Sequence, residues 1–206
     1  MLRLLELPPS PNSTKIRMAL RYKEVPFEAV EVDPADRGNV IESTGQELTP
    51  AIEDKGVALN DSEAILQYLD ANYPEAPRLF PRRRMARRAC DAWKKELDEK
   101  LAKHWLPVFL HAIGRSPTLD EDAQKRYRGA LAWLERELEK GVPFAPEPDQ
   151  AVNDLRVAEW ATYALPGEGL IERVKIFRRF AELFGVDKGE FPQLEAFLAP
   201  WNERLA

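Results

Sequence analysis

The hydrophobic period of this 206-residue chain changes once, near Tyr73, and does not change back. Upstream of that point two kinds of short run alternate. Residues 1–7 are apolar and strand-like, and Pro8-Pro9-Ser10-Pro11-Asn12 reads as a turn. Residues 13–22 place Ile16, Ala19 and Leu20 at helical spacing. Residues 27–32 set Phe27 and Ala29 against Glu28 and Glu31, the alternation of a half-buried strand. A polar stretch at 36–44 has room for a short helix. Ala51-Ile52-Glu53-Asp54 and Val57-Ala58-Leu59 flank Lys55-Gly56 as a hairpin does, and Ala64, Ile65, Tyr68 and Leu69 form a second helical stripe. The predicted order is β-α-β-α-β-β-α.

Downstream, Pro74, Pro77 and Pro81 punctuate a connection that includes Leu79-Phe80. Beyond it, segments near 83–113, 119–140, 152–165, 170–184 and 191–204 carry apolar stripes on charged backgrounds. Strands confined to the first third of a chain build one sheet there and leave the remainder to pack helix on helix. The expected organisation is an α/β domain over 1–76, a linker over 77–84 and an all-helical domain over 85–206.

Composition removes several function classes. The single cysteine, Cys90, makes neither an internal disulfide nor a CxxC redox pair. Two histidines, His104 and His111, lie two turns apart on a helix, roughly 10 Å, so no shared metal is expected. No glycine precedes Gly38, which excludes a glycine-rich phosphate loop after the first strand. Thirty basic against 35 acidic residues, a formal charge of −5, argue against a nucleic-acid partner. No apolar run approaches the roughly 20 residues that cross a bilayer, and Glu6 interrupts the apolar N-terminus, so a soluble cytoplasmic protein without a membrane partner is expected.

Three local features carry chemistry. Ser10-Pro11-Asn12-Ser13-Thr14-Lys15 stands where the first strand gives way to the first helix. Hydroxyls and unpaired amides at a helix start favour an anion, and a thiolate is one. Lowering a thiol pKa from about 8.5 by one or two units corresponds to roughly 1.4–2.7 kcal/mol. The plainer reading is a helix cap from Ser10 or Asn12. Leu48-Thr49-Pro50-Ala51-Ile52 opens a strand with proline. That proline is either an ordinary edge residue or, if its bond is cis, a device that turns the Thr49 amide and carbonyl toward an extended peptide. Asn60-Asp61-Ser62-Glu63 precedes the second helical stripe. Asn60 or Asp61 suffices as a cap there, while the Ser62 hydroxyl and nearby amides suit a carboxylate and Asp61 suits an ammonium. Together they describe a site for a small zwitterionic peptide bearing a thiol.

On these residues the N-terminal half resembles the glutathione transferase family. Ser-Pro-Asn-Ser-Thr-Lys-Ile-Arg at 10–17 is similar to the family's segment with the catalytic hydroxyl or cysteine. Thr49-Pro50-Ala51-Ile52 is similar to its cis-proline strand, and Asp61-Ser62-Glu63-Ala64-Ile65 through Tyr68-Leu69 to its glutamyl-binding helix. The resemblance covers about the first 75 residues. It implies an α/β thioredoxin-like N-terminal domain followed by an all-α helical C-terminal domain, the glutathione transferase fold. It also implies glutathione as co-substrate with no metal, a small apolar electrophile as second substrate, and a homodimer. It carries the thiolate donor to Ser10, with Asn12 and Ser13 as rivals, and glutathione contacts to Gln46, Thr49, Pro50, Asp61 and Ser62. A serine at the nucleophile's place implies conjugation rather than mixed-disulfide formation. A glutathione-dependent peroxidase or disulfide reductase without a protein cysteine, and a non-enzymatic binding module of the same fold, are the alternatives. The family's Ser/Thr-x-x-Asp capping box corresponds to Ala151-Val152-Asn153-Asp154, which keeps the aspartate, lacks the hydroxyl and leaves Asn153 to cap.

Elsewhere ordinary structural roles are expected. The Arg82-Arg83-Arg84 run with Arg87 and Arg88 suits a helix start or a subunit interface; Trp93, Trp133, Trp160 and Trp201 suit the core. Glu135, Glu137, Glu139 and Lys140 look like an exposed helix face, and Cys90 like a small buried hydrophobe.

Overall fold

Glu6, the carboxylate that breaks the apolar N-terminus, is 1% exposed and held at both oxygens by Arg17. The pair ties the first strand, β1 (Leu2–Glu6), to the first helix, α1 (Pro11–Tyr22). A buried carboxylate is tolerable only with such a partner, since an unpaired charge in the interior costs several kcal/mol. The computed structural model describes residues 1–141, 144 and 150–206. They form two compact units, the first from Met1 to Pro81 with a short return segment ending at Ala151, the second from Arg82 onward and again from Val152 to Ala206.

In the first unit, β2 (Phe27–Glu31), α2 (Gly38–Thr44), β3 (Ala51–Asp54), β4 (Val57–Asn60) and α3 (Ser62–Asn72) follow β1 and α1 in the predicted order. The sheet runs β2-β1-β3-β4, with β2 parallel to β1 and β3 antiparallel to both β1 and β4. The parallel β1-α1-β2 pair needs a crossover and receives α1; the antiparallel β3-β4 pair needs only Lys55-Gly56, both at positive φ. Leu2, Leu4, Leu5, Ile16, Leu20, Ile52, Ile65 and Leu69 are almost wholly buried between sheet and helices. The expected inward alternation of β2 is only partly realised. Phe27 and Val30 are half-buried, and Ala29 faces solvent, because β2 is an edge strand. Two guanidiniums, Arg17 and Arg21, cover the Phe27 ring at 5.5 and 5.3 Å.

The expected linker is divided between the units. Its first half is fastened to the α/β unit by Asp70, whose carboxylate accepts the amides of Leu79 and Phe80, each at 2.9 Å, and pairs with buried Lys23 at 3.0 Å. Lys23 also donates to the carbonyl of Pro77 at 2.9 Å. The return segment joins here through the Ala151 amide on the Leu79 carbonyl at 3.2 Å.

The second unit is helical throughout its described residues. The 83–113 stripe is α4 (Arg84–Leu97), a π-helical stretch (Asp98–Ala102) and α5 (Lys103–Ala112); α6 (Glu121–Glu139) and α7 (Val152–Ala161) follow. The 170–184 segment is two helices, α8 (Glu168–Arg173) and α9 (Ile176–Phe184), because Val174 takes an extended conformation, φ −130°. The last is α10 (Pro192–Glu203).

Three expectations need correction in this unit. Glu135 is not on an exposed face. It is 6% exposed, and its two oxygens accept the amides of Gln193 and Leu194 at 2.9 and 2.8 Å, closing the first turn of α10 from α6. Asn153 does not cap α7. It lies within the helix, and its amide donates to the Phe144 carbonyl at 2.6 Å. Of the four tryptophans assigned to the core only Trp201 is buried, at 6% exposure; Trp93, Trp133 and Trp160 are half-buried. The enclosed indole is Trp105, stacked on Phe109 at 4.5 Å and met edge-on by Trp160 and Tyr163. Cys90 is buried with a free thiol, and its carbonyl accepts from Arg156 at 2.9 Å.

Candidate functional site

The strand β1 ends beside the start of α1, and α1 packs along α3. As a result the first turns of both helices meet at one corner of the α/β unit. The contact is specific. The Ser62 hydroxyl, at the first residue of α3, donates to Asn12 Oδ1 on α1 at 2.9 Å. Lys15 donates to the same oxygen at 3.3 Å and to Glu63 of α3 at 3.3 Å. Two helix starts side by side concentrate unpaired amides and the positive ends of two macrodipoles, a setting that favours anionic groups.

Ser10 is the N-cap residue of α1, with extended backbone angles φ −81° and ψ 128°. Its carbonyl accepts the Thr14 amide at 2.9 Å, and its side chain makes no capping bond. Pro11 supplies the first helical residue, which has no N–H to satisfy. Asn12 is exposed, and its side-chain oxygen serves Ser62 and Lys15. Ser13 is different. It has no exposed surface, and its hydroxyl accepts the Leu7 amide at 3.2 Å, which fastens the β1–α1 turn.

The Thr49–Pro50 bond is cis. Pro50 is buried, Thr49 is half-buried, and β3 begins at the next residue. Asp61 has φ +73°, a conformation that costs a non-glycine residue about 1–3 kcal/mol. It caps α3, accepting the Ala64 amide at 2.9 Å. Asn60, the other candidate cap, instead belongs to β4 opposite Ala51. Gln46 is exposed in the segment after α2.

Sequence reasoning missed Arg37. With Pro34, Glu47, Leu48 and Thr49 it lines a cavity of about 320 Å3, and it donates to the Glu47 carbonyl at 3.3 Å. The signal was available, because Arg37 is the only basic residue between Lys23 and Lys55. A guanidinium one loop away from the cis-proline is a stronger carboxylate partner than a glutamine.

A thioredoxin-like mixed sheet whose α1 and α3 starts meet near a cis-proline, continued by a helical unit, is the architecture of the glutathione transferases. Residues 4–77 match the family model described as the glutathione S-transferase N-terminal domain. A curated relative, the probable glutathione S-transferase GSTU6 of Oryza sativa subsp. japonica, is 26% identical over 155 residues. That match covers 69% of this chain and 64% of the relative. Among solved structures, the Tau-class enzyme of mango (Mangifera indica L.) superposes with a TM-score of 0.71 at 18% identity, covering 97% of this chain and 87% of that one. Rice GST1, solved in complex with glutathione, superposes with a TM-score of 0.69 at 22% identity, covering 98% and 85%. The family model places the glutathione S-transferase N-terminal domain over residues 4–77, and the solved structures show the same two-part fold along nearly the whole chain. Among the described residues no helix is long and apolar enough to cross a membrane.

Proposed function

We propose that this protein is a glutathione transferase that binds glutathione in the α/β unit and joins its sulfur to a small apolar electrophile. The observation that carries this reading is the meeting of the α1 and α3 starts, bridged by Ser62 and Asn12 at 2.9 Å, with Ser10 at the α1 cap and its hydroxyl not spent on capping. In this reading the γ-glutamyl carboxylate takes the Ser62 O–H over from Asn12 Oδ1 and sits on it and the first amides of α3, and its ammonium pairs with Asp61. Thr49 meets the cysteinyl backbone beside cis-Pro50, and Arg37 holds the glycyl carboxylate, with Gln46 in the same loop.

The sulfur then lies at the α1 start. Ser10 donates its O–H to the thiolate and the first α1 amides add to the stabilisation; Asn12 and Ser13 are the rival donors, the Ser13 hydroxyl oxygen accepting from Leu7 while its hydrogen stays available. The thiol proton passes to solvent. The sulfur lone pair forms the new S–C bond, and the displaced electron pair leaves with the departing group, or enters the conjugated acceptor, which solvent protonates. Rate comes from holding a prepared anion against the electrophile. A homodimer working in the cytoplasm completes the reading.

The test is the ultraviolet absorbance of bound thiolate against pH. Ser10→Ala is expected to raise the bound thiol pKa by about one unit and slow conjugation roughly tenfold. An unchanged profile moves the donor to Asn12, Ser13 or the amides. Absence of glutathione binding in a calorimetric titration overturns the proposal.

A further inference from the structure

A cavity of about 510 Å3 that shares no residue with the glutathione site opens on the helical unit between the α7–α8 connection, α9 and α10. We infer that it binds an apolar organic cation, through three carboxylates set around an aliphatic chamber built on the close approach of α8 and α10.

That approach is unusually tight. A Cβ added to Gly167 would stand 2.8 Å from Asn202 Cβ, and one added to Gly169 would stand 2.5 Å from Ala206 Cβ. Real carbons do not come so near, so glycine is required at both positions for this packing, and it fixes one end of the chamber. Asn202 fastens the same edge, donating to the Leu165 carbonyl at 3.0 Å. Away from these contacts the lining is small or aliphatic. Leu165, Ile171 and Val186 give apolar surface, and half-buried Ala181 of α9 and exposed Ala199 of α10, both small, line the opening without filling it. The volume is in the range that accepts a drug-sized molecule.

The charge selects among apolar ligands. Half-buried Glu195 and, at the solvent-facing rim, exposed Glu168 and Glu203 line the cavity with one cation, Lys188. Arg173 and Arg204, on the neighbouring turns, are directed to the carbonyls of Leu205 and Pro200 and do not line it. Glu195 is held in place by the Gly189 amide at 2.6 Å. A ligand with a hydrophobic body and a diffuse positive charge gains from both features, because burying its body releases water while its charge remains beside carboxylates. An anion of the same shape meets the same body and the opposite field.

Tetraphenylphosphonium and tetraphenylborate, matched in shape and opposite in sign, provide the probes. Calorimetric titration of the full chain is expected to give saturable phosphonium binding at least about tenfold tighter than borate binding at low salt. Glu168→Gln/Glu203→Gln is expected to weaken phosphonium binding about three- to tenfold while leaving its thermal transition in place. Ala199→Phe, at an exposed α10 position, is expected to abolish binding by filling the chamber. Saturating glutathione is expected to leave phosphonium binding unchanged. Equal affinity for the two ions, insensitivity to either variant, displacement by glutathione, or no binding at millimolar phosphonium each overturns the inference.

Discussion

Asp154, the third residue of α7, is a carboxylate whose pKa burial raises from 3.8 to about 6. Among the described residues burial is the cause of the shift, and Ala151 stands where a capping box would place a hydroxyl. The rise corresponds to about 3 kcal/mol, an upper bound because the helix start favours a negative charge. Linkage fixes the sign. Between pH 3.8 and about 6 the folded state keeps a proton that the unfolded chain has released, so raising the pH through this window favours unfolding. Above the folded pKa the cost is fully present. Asp154→Asn removes the charge at nearly constant shape. It is expected to match the parent near pH 3.5 and to exceed it by up to about 3 kcal/mol at pH 7, with the gap opening between pH 4 and 6. Urea denaturation followed by tryptophan fluorescence is the assay, since all five tryptophans lie in the helical unit and report its unfolding. A stability difference that is the same at pH 4 and pH 7.5 refutes the reasoning and assigns Asp154 an unshifted carboxyl.

Two further perturbations test how the units are held. Glu135→Ala strands the amides of Gln193 and Leu194 at the start of α10 and is expected to cost about 2–4 kcal/mol, read by the same fluorescence assay; a loss under 1 kcal/mol would return Glu135 to an ordinary surface role. At Asp61, glycine relieves the φ of +73° at little capping cost, whereas alanine keeps the strain and loses the cap. Asp61→Gly is therefore expected to be neutral to about 1 kcal/mol stabilising and Asp61→Ala about 1 kcal/mol destabilising. Both are expected to weaken glutathione binding, and far-ultraviolet circular dichroism with calorimetry separates the two effects.

The element order of the first unit was legible because each element is short, punctuated and locally patterned. Ser10, Thr49-Pro50 and Asp61-Ser62 were legible because proline, caps and helix starts leave marks within a few residues. Arg37 was overlooked because its relevance depends on a loop that returns to Thr49, a contact without sequence period. Glu135 was misread for a related reason. A glutamate in a run of charges looks solvated until another helix start arrives above it from 58 residues downstream. Ser13 carried the same hydroxyl as Ser10, and only the fold turned it inward to Leu7.

The sequence by itself determined that this chain builds one sheet with its helices followed by a helical region, and that no internal disulfide forms, because periodicity and a residue count act locally or not at all. A single Cys90, far in sequence from the Ser10 turn, means that under the proposed conjugation the reactive sulfur comes with the ligand. Tertiary structure decided what the polar residues do. Asp70 clamps the connection at Leu79 and Phe80, Ser62 reaches Asn12, and burial lifts the Asp154 carboxyl. Apolar residues announce their fate through a period set by the local helix or strand, whereas a charge or hydroxyl acquires its role only from whichever distant donor or acceptor the folded chain brings within about 3 Å.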